Sequence, residues 1–470
     1  MRRVLFASGI LVLLVVVVVT AQPPVAPPLT PPAPSVAPPG FPPSVVPPGA
    51  QGDPVPPAPP KPFPGVPGAP SAPMGTPSVS APVAAAEAPL SKFTHIETFP
   101  QNTQFAVRGS LMAAEWLAKM GQPHGRFLQG YLPALRQPMS GDHDLRQAQA
   151  ALAMAQAAKF SGDQKHAAIA SQAVLALLAS TKVDANDPNS RAPVQMSFVC
   201  NRVGFAALVA LAIVELPNPS DKLLDDAERL CAFLRTQLRA DGSVHYADNP
   251  ADDPTKFDPA GFNEYPGLAL HALAASNRVR PADWKKDAVK KGVAYYHTAF
   301  RAKPHPALVA TVTPAATELY LQTKSNEAAT AVFEMNDWLC ALQITGNDQR
   351  TPQWAGGFRT VADGRTTDAP PSATDTGRYI QSLACAYHLT RVTGDLTHEE
   401  KYRPALTFAV QFLYGLQFLE TNTRHFEDNF RAKMLMGAFH LSPTDGNLRI
   451  DASASAITGL LRFLSCGAER

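Results

Sequence analysis

The reading of this chain turns on residues 204–230, GFAALVALAIV-ELPNPS-DKLLDDAERL. From Gly204 to Val214 every position is apolar or small. A helix of that composition has no solvent face and must be covered on both sides. After the short connection Leu216–Ser220, the residues Asp221, Lys222, Asp225, Asp226, Glu228 and Arg229 give the next helix a charged face. That pattern suits an outer helix, half in water and half packed on the layer beneath it. An inner helix beside an outer one is the unit to look for elsewhere.

It recurs from about residue 100 to the end. Amphipathic outer stretches fall at 102–120, 163–180, 221–239, 284–301, 326–344 and 399–420. Each is followed by a more apolar inner stretch, at 143–160, 196–215, 263–276, 314–323, 375–393 and 452–465. No comparable strand alternation appears, so the fold class is all-α. Twelve helices in six hairpins make an (α/α)6 toroid, an inner barrel inside an outer one, and closing the ring covers the ends an open solenoid must cap. A sequence echo supports the repeat: Trp116-Leu117 with Gly125-Arg126-Phe127, Phe233-Leu234 with Asp241-Gly242, Trp338-Leu339 with Gly356-Gly357-Phe358, and Phe412-Leu413 with Gly437-Ala438-Phe439. Glycine supplies the left-handed backbone that follows a helix, and the aromatic seats the returning loop.

The segment Asn336-Asp337-Trp338-Leu339, Leu342-Gln343, Gly356-Gly357-Phe358 and Leu383-Ala384 resembles the repeat of terpenoid cyclases and protein prenyltransferases. The stretch Ser372-Ala373-Thr374-Asp375-Thr376-Gly377-Arg378, with Thr393-Gly394-Asp395, is similar to repeats of six-hairpin glycosidases and sugar epimerases. The resemblance spans most of residues 100–465 and implies the α/α-toroid fold more strongly than any reaction. The chain has no acidic DxDD stretch like that of squalene-type cyclases, and the Asp/Cys/His zinc set of prenyltransferases cannot be assembled from it.

Ahead of the helices, Arg2 and Arg3 precede an apolar run from Val4 to Val19, then Thr20-Ala21. This is the layout of a secretory signal over residues 1–21, with an uncleaved anchor as its rival. Residues 22–90 hold 26 of the 47 prolines and three charges. Proline at that density blocks helix and sheet and favours extended chain, so the segment reads as a disordered tether ahead of a domain spanning 91–470. An exported location follows: periplasm, cell surface or secreted. Beyond residue 90 the chain carries 38 basic and 37 acidic side chains, which lacks the cationic footprint of a nucleic-acid binder.

Loop lengths point to a site. Inner-to-outer connections are short. Outer-to-inner ones are mostly long, at 121–141, 181–195, 240–260, 345–372 and 421–449, and so gather at the N-termini of the inner helices. Long loops on a rigid scaffold carry binding and catalysis, and helix N-termini favour anionic or oxygen-rich ligands. Candidate catalytic residues there are Asp142, Glu264, Tyr265 and Asp375; candidate substrate contacts are Arg202, Trp354, Arg378, Arg449 and Asp451. Paired carboxylates can supply acid and base to a glycosidic bond, and a Tyr or His beside Arg can abstract a proton next to a carboxylate. The plainer reading makes Asp142, Asp375 and Asp451 helix N-caps, pairs Arg202, Arg378 and Glu264 as structural ions, and leaves Trp116, Trp284 and Trp338 as packing. Asp142-His143-Asp144 offers at most a stray metal ligand, Asp184–Asn189 reads as a turn rather than a calcium loop, and no metal or cofactor is expected. The five cysteines read as small buried residues; a Cys340–Cys385 bridge is allowed but not indicated. The expected ligand is a glycan or another oxygen-rich or anionic molecule, and the expected activity hydrolysis, elimination or epimerisation of poly- or oligosaccharide. A noncatalytic carbohydrate- or protein-binding scaffold and a terpenoid-cyclase-like protein are the alternatives.

Overall fold

The computed structural model describes residues 88–194, 201–246, 259–346, 350–362 and 364–469. The expected leader (1–21) and most of the proline-rich tether lie outside them. Ordered packing begins slightly earlier than expected from sequence, with a 3-10 turn at Pro89–Phe93 that buries Phe93.

Six outer helices alternate with six inner ones. The outer set is α1 (Gln101–Met120), α3 (Gln164–Leu178), α5 (Asp221–Thr236), α7 (Asp283–Ala302), α9 (Asn326–Ala341) and α11 (Leu396–Leu416). The inner set is α2 (Asp144–Ser161), α4 (Arg202–Glu215), α6 (Pro259–Val279), α8 (Pro306–Thr323), α10 (Ala373–Thr393) and α14 (Ile450–Ser465); two short helices, α12 (Glu420–Thr423) and α13 (Asp428–Phe430), lie in the last loop. Each inner helix packs on the next, and α14 returns to pack on α2, so the ring closes. In α4 every residue from Val203 to Val214 is buried, as its uniformly apolar composition requires.

The inner helices differ from the expectation mainly at their starts: α4 begins at Arg202 rather than 196 and α6 at Pro259 rather than 263, and the fourth differs most. The fourth was read as starting at Pro314, a position where proline favours a helix start. It starts at Pro306, behind an N-cap His305, and runs through Pro314 as an internal residue. Burial of that turn inside the barrel outweighs the lost backbone bond. The link from α7 to α8 is therefore only residues 303–305, while the other five outer-to-inner links are long.

The sequence echo has a physical meaning. Gly125, Gly242, Gly356 and Gly437 all sit at φ between 85° and 92°. A Cβ at each would meet a main-chain oxygen of the neighbouring outer helix: Gln172, Lys291, Phe408 and Met112 respectively. Antiparallel bridges Gly121↔Phe127, Leu238↔Val244, Gln343↔Phe358 and Gln417↔Phe439 close the same four turns. In two of them a glutamine side chain ties the joint. Gln343 Nε2 donates to Gly356 O (3.1 Å) and Ala405 O (2.9 Å), and Gln417 Nε2 to Gly437 O and Gly109 O, both at 2.9 Å. The glycines are thus spacers that let one hairpin's turn lie flat on the next hairpin's outer helix.

The small strands all lie in the long loops. A four-stranded antiparallel sheet in the order β2-β1-β8-β7 joins the first loop (β1 Gly130–Leu132, β2 Gln137–Pro138) to the last (β7 His440–Ser442, β8 Asp445–Arg449). Two hairpins, β3–β4 (Thr181–Val183, Arg191–Pro193) and β5–β6 (Thr360–Ala362, Arg365–Thr367), stand in the long loops after α3 and α9. In the β3–β4 hairpin, Asp184 and Asp187 accept bonds from the backbone of Asn186 and Asn189, so this acidic loop is the turn it was read as. No described helix is long and apolar enough to cross a membrane.

Candidate active site

The ring opens into two cavities along its axis. The one at the inner-helix C-terminal halves has a volume of about 510 Å³ and touches Leu152, Leu211, His271, Glu318 and Leu461, with Pro89, Phe93 and the tail Cys466–Glu469 on its wall. Its carboxylates Glu215 and Glu318 are already paired, Glu215 with Lys159 and Arg278 and Glu318 with Arg278, and burial pushes His271 down to about 4 there. The other lies at the inner-helix N-termini, where the long loops gather, with a volume of about 430 Å³. Although smaller, it is the one rimmed by the long loops and holds His143, with an unpartnered ring nitrogen, beside several carboxylates and guanidiniums, and it is the candidate site.

Five elements bring those groups together. α6 supplies Glu264 and Tyr265, and α10 supplies Asp375 and Arg378. The β8–α14 junction supplies Asp445, Arg449 and Asp451, and the start of α2 supplies His143, Arg146 and Gln149. Placement of Arg449 depends on the loop sheet: β1 pairs with β8 in the register Gly130↔Arg449 and Tyr131↔Leu448, which delivers the chain to α14 at the rim. Gly130 has no room for a side chain, because a Cβ would sit 2.2 Å from Leu448 O. Tyr265 lies flat on α4 at Gly204, where a Cβ would meet its ring at 2.6 Å.

The charges are arranged as pairs. Arg378 donates to Glu264 at 3.0 Å. Arg449 grips Asp451 with two bonds, Nε to Oδ1 at 2.9 Å and Nη2 to Oδ2 at 2.6 Å, and Arg146 approaches the same carboxylate at 3.7 Å. Asp375 shares a reciprocal cap with Ser372, whose hydroxyl accepts from the Asp375 backbone N–H (3.0 Å) and donates to its carboxylate (2.8 Å). Burial opposes the charge on the Arg378 guanidinium, but Glu264 and Asp375 outweigh it and hold the proton more firmly than usual. The Asp451 bond does the same for Arg449.

The imidazoles behave oppositely. His143 is the N-cap residue of α2, and its Nδ1 is buried without a hydrogen-bond partner. Burial, then the Arg146 charge, hold it below the ordinary histidine range against the pull of Asp451, so it is neutral at pH 7. His305 caps α8; its Nδ1 accepts from Ala307 N–H at 3.2 Å, which leaves the ring proton on Nε2. Burial lowers it too, although Glu264 and Asp375 raise it.

Six of the nine residues read from sequence line this cavity: Glu264, Tyr265, Asp375, Arg378, Arg449 and Asp451. Three do not. Asp142 is drawn to Arg126 (2.7 Å) and also accepts from Gln147 (2.8 Å), because the first loop folds Phe127 onto Gln147 and carries Arg126 with it. Arg202 turns outward, donating to Pro193 O at 3.1 Å and lying over the Phe233 ring at 5.4 Å. Trp354 belongs to a 3-10 turn over Pro352–Trp354 in the fifth loop and does not line the cavity. The N-cap reading also shifts: the caps are His143, Ser372 and Arg449, and Asp375 and Asp451 sit inside the first turns. Of the proposed structural ions, Glu264 and Arg378 pair and Arg202 joins neither. Trp116 and Trp338 pack as expected, the former fully buried and the latter edge-on to Phe300. Cys340 and Cys385 are both free thiols. The sequence reading named His143 only as a stray metal ligand and passed over Arg146 and Asp445. The one available signal was helical spacing, since His143, Arg146 and Gln149 at three-residue steps share a face.

No family model and no curated protein sequence matches this chain. Solved structures do. A D-mannose isomerase matches with a TM-score of 0.57 at 12% identity, covering 78% of this chain and 99% of its own. Cellobiose 2-epimerase from Bacillus thermoamylovorans B4167 matches with a TM-score of 0.54 at 10% identity, over 77% and 98%. The GH76A α-1,6-mannanase of Salegentibacter sp. HEL1_6, in complex with α-1,6-mannotetrose, matches with a TM-score of 0.54 at 10% identity, over 78% and 100%. The chain therefore has the six-hairpin α/α-toroid fold that these proteins share, in agreement with the resemblance read from its repeats.

Proposed function

We propose that this protein is a carbohydrate-active enzyme whose chemistry is proton transfer at a sugar carbon beside a carbonyl, in the manner of an epimerase or isomerase. The observation that carries the reading is the neutral His143, with an unpartnered ring nitrogen, in the cavity that also holds Arg146, Arg378 and Arg449. A sugar presents hydroxyls and one carbonyl. The carboxylates Glu264, Asp375 and Asp451 can accept from the hydroxyls while Arg378, Ser372 and Arg449 respectively keep them in place. His143 takes the proton from the carbon, the C–H electrons form a C=C bond, and the carbonyl oxygen becomes an enolate facing the guanidinium groups. A proton delivered to the other face by a second cavity group such as Tyr265 gives the epimer, and return of the proton to the former carbonyl carbon, with the neighbouring hydroxyl proton passing to the former carbonyl oxygen, gives the isomer. The fold neighbours named for sugar substrates support the substrate class, and so does the charge-lined cavity, which does not suit an isoprenoid. The leader and proline-rich tether read from the sequence support action outside the cytoplasm.

Glycoside hydrolysis is the second reading, favoured by Asp375 on α10 and Glu264 on α6 facing one cavity across the intervening α8. A panel of neutral and acidic oligosaccharides and free sugars, incubated in D2O, separates the two. Carbon-bound deuterium in the product, lost by a factor of about 10²–10⁴ in His143→Ala, is the expected result. New reducing ends without deuterium would move the assignment to hydrolysis. A chain that binds these sugars and turns none over would be the scaffold alternative.

A further inference from the structure

Away from the ring axis, the start of α3 meets the middle of α1 in a cluster that neither the fold nor the proposed chemistry uses. Asp163 is the N-cap of α3, its Oδ1 accepting from Lys165 N (2.7 Å) and His166 N (3.2 Å), which leaves Oδ2 uncommitted. His166 is only 3% exposed, and both of its ring nitrogens lack a hydrogen-bond partner. Its Nε2 nevertheless lies 2.9 Å from Glu115 Oε1 on α1. One ligand atom from each of Glu115, Asp163 and His166 falls within 4.8 Å of the other two.

A buried imidazole with no hydrogen bond is costly in a folded protein. Contact with a carboxylate oxygen outside hydrogen-bonding geometry is what two ligands of one ion show, since bonds of about 2.0–2.2 Å place neighbouring ligand atoms roughly 3 Å apart. We propose that Glu115, Asp163 and His166 form a divalent transition-metal site of the zinc type, which clamps the first hairpin to the second. One imidazole nitrogen and two carboxylates suit Zn²⁺ and its neighbours better than Ca²⁺ or Mg²⁺, which prefer all-oxygen shells. Three protein ligands leave at least one position for water. Lys165 lies 3.1 Å from Glu115 Oε2 and competes with the ion, but it is well exposed and free to swing into solvent.

The test uses the full chain after chelation, with Co²⁺ as a spectroscopic probe and Zn²⁺ as competitor. One equivalent of Co²⁺ should develop the visible bands of a low-coordinate site, Zn²⁺ should bleach them, and Zn²⁺ should raise Tm. Glu115→Gln and His166→Gln should each abolish the bands. Glu115 is part-exposed, so its variant keeps the test valid even where His166→Gln fails to fold. Lys165→Met should tighten binding roughly tenfold by removing a like charge beside the ion. The absence of Co²⁺ binding at one equivalent, or bands that survive in Glu115→Gln, would overturn the proposal, whatever the sugar chemistry turns out to be.

Discussion

Gly437→Ala tests the closure of the ring. Gly437 stands in the last loop at φ 90°, and a Cβ there would lie 2.2 Å from Met112 O and 2.7 Å from Met112 C, both backbone atoms of α1. The first helix cannot yield locally, so the turn must lift by about 1 Å to restore van der Waals contact. Lifting it strains two bonds, Gln417 Nε2 to Gly437 O and Gly437 N to Phe418 O, both 2.9 Å. The left-handed backbone costs about 1–2 kcal/mol and two weakened buried hydrogen bonds about 1 kcal/mol each, so the total is roughly 3–4 kcal/mol. Gly394→Ala is the control: it sits at φ 73° after α10 with nothing within 4 Å, and only the backbone cost of about 1–2 kcal/mol applies. For a ring of roughly 380 residues, with an unfolding entropy near 2.1 cal/mol/K per residue, the expected Tm losses are about 4–5 °C and about 1–2 °C. Thermal unfolding followed by circular dichroism at one scan rate measures both. Equal losses in the two variants would mean that the last turn does not rest on the first helix, and the closed ring would have to be abandoned.

The acid limb of the pH–rate profile should fall below the ordinary histidine range, since activity needs neutral His143 and is lost only as pH drops through its lowered pKa. Arg146→Met removes one cause of that lowering and should move the limb to higher pH; a limb that stays in place would separate His143 from the titration. Burial pushes the Cys231, Cys340 and Cys466 thiols up to about 12 and raises Cys385 as well, so iodoacetamide on native protein at pH 8 should leave all four unlabelled by peptide mapping, with rapid labelling once the chain is unfolded.

The barrel was legible because burial on two sides leaves a mark in composition. Helix α4 has no polar residue from Val203 to Val214, and no other environment for a helix in water tolerates that. The glycine echoes were legible too, as four equivalent positions facing four equivalent main-chain oxygens. The start of α8 was not, because Pro314 looks like a helix opening until the barrel around it is known. At the rim, the residues that open inner helices were found by position alone, which succeeded for Glu264, Asp375, Arg378, Arg449 and Asp451. It failed for Asp142 because a loop residue sixteen places earlier, Arg126, claims the carboxylate, and such long-range pairing has no local signature. His143 was read only as a stray metal ligand for the same reason: what distinguishes it is the missing hydrogen bond at Nδ1, which exists only once the walls of the cavity are in place.

The turn Pro89–Phe93 and the tail Cys466–Glu469 border the cavity at the inner-helix C-termini, at the end of the barrel opposite the rim where the long loops gather. Both ends of the described chain are therefore rooted on the underside of the toroid. A support, a fluorescent label or a fused partner grafted at Ala88 or Glu469 leaves the rim unobstructed, whereas one inserted in any of the five long loops competes with whatever enters there.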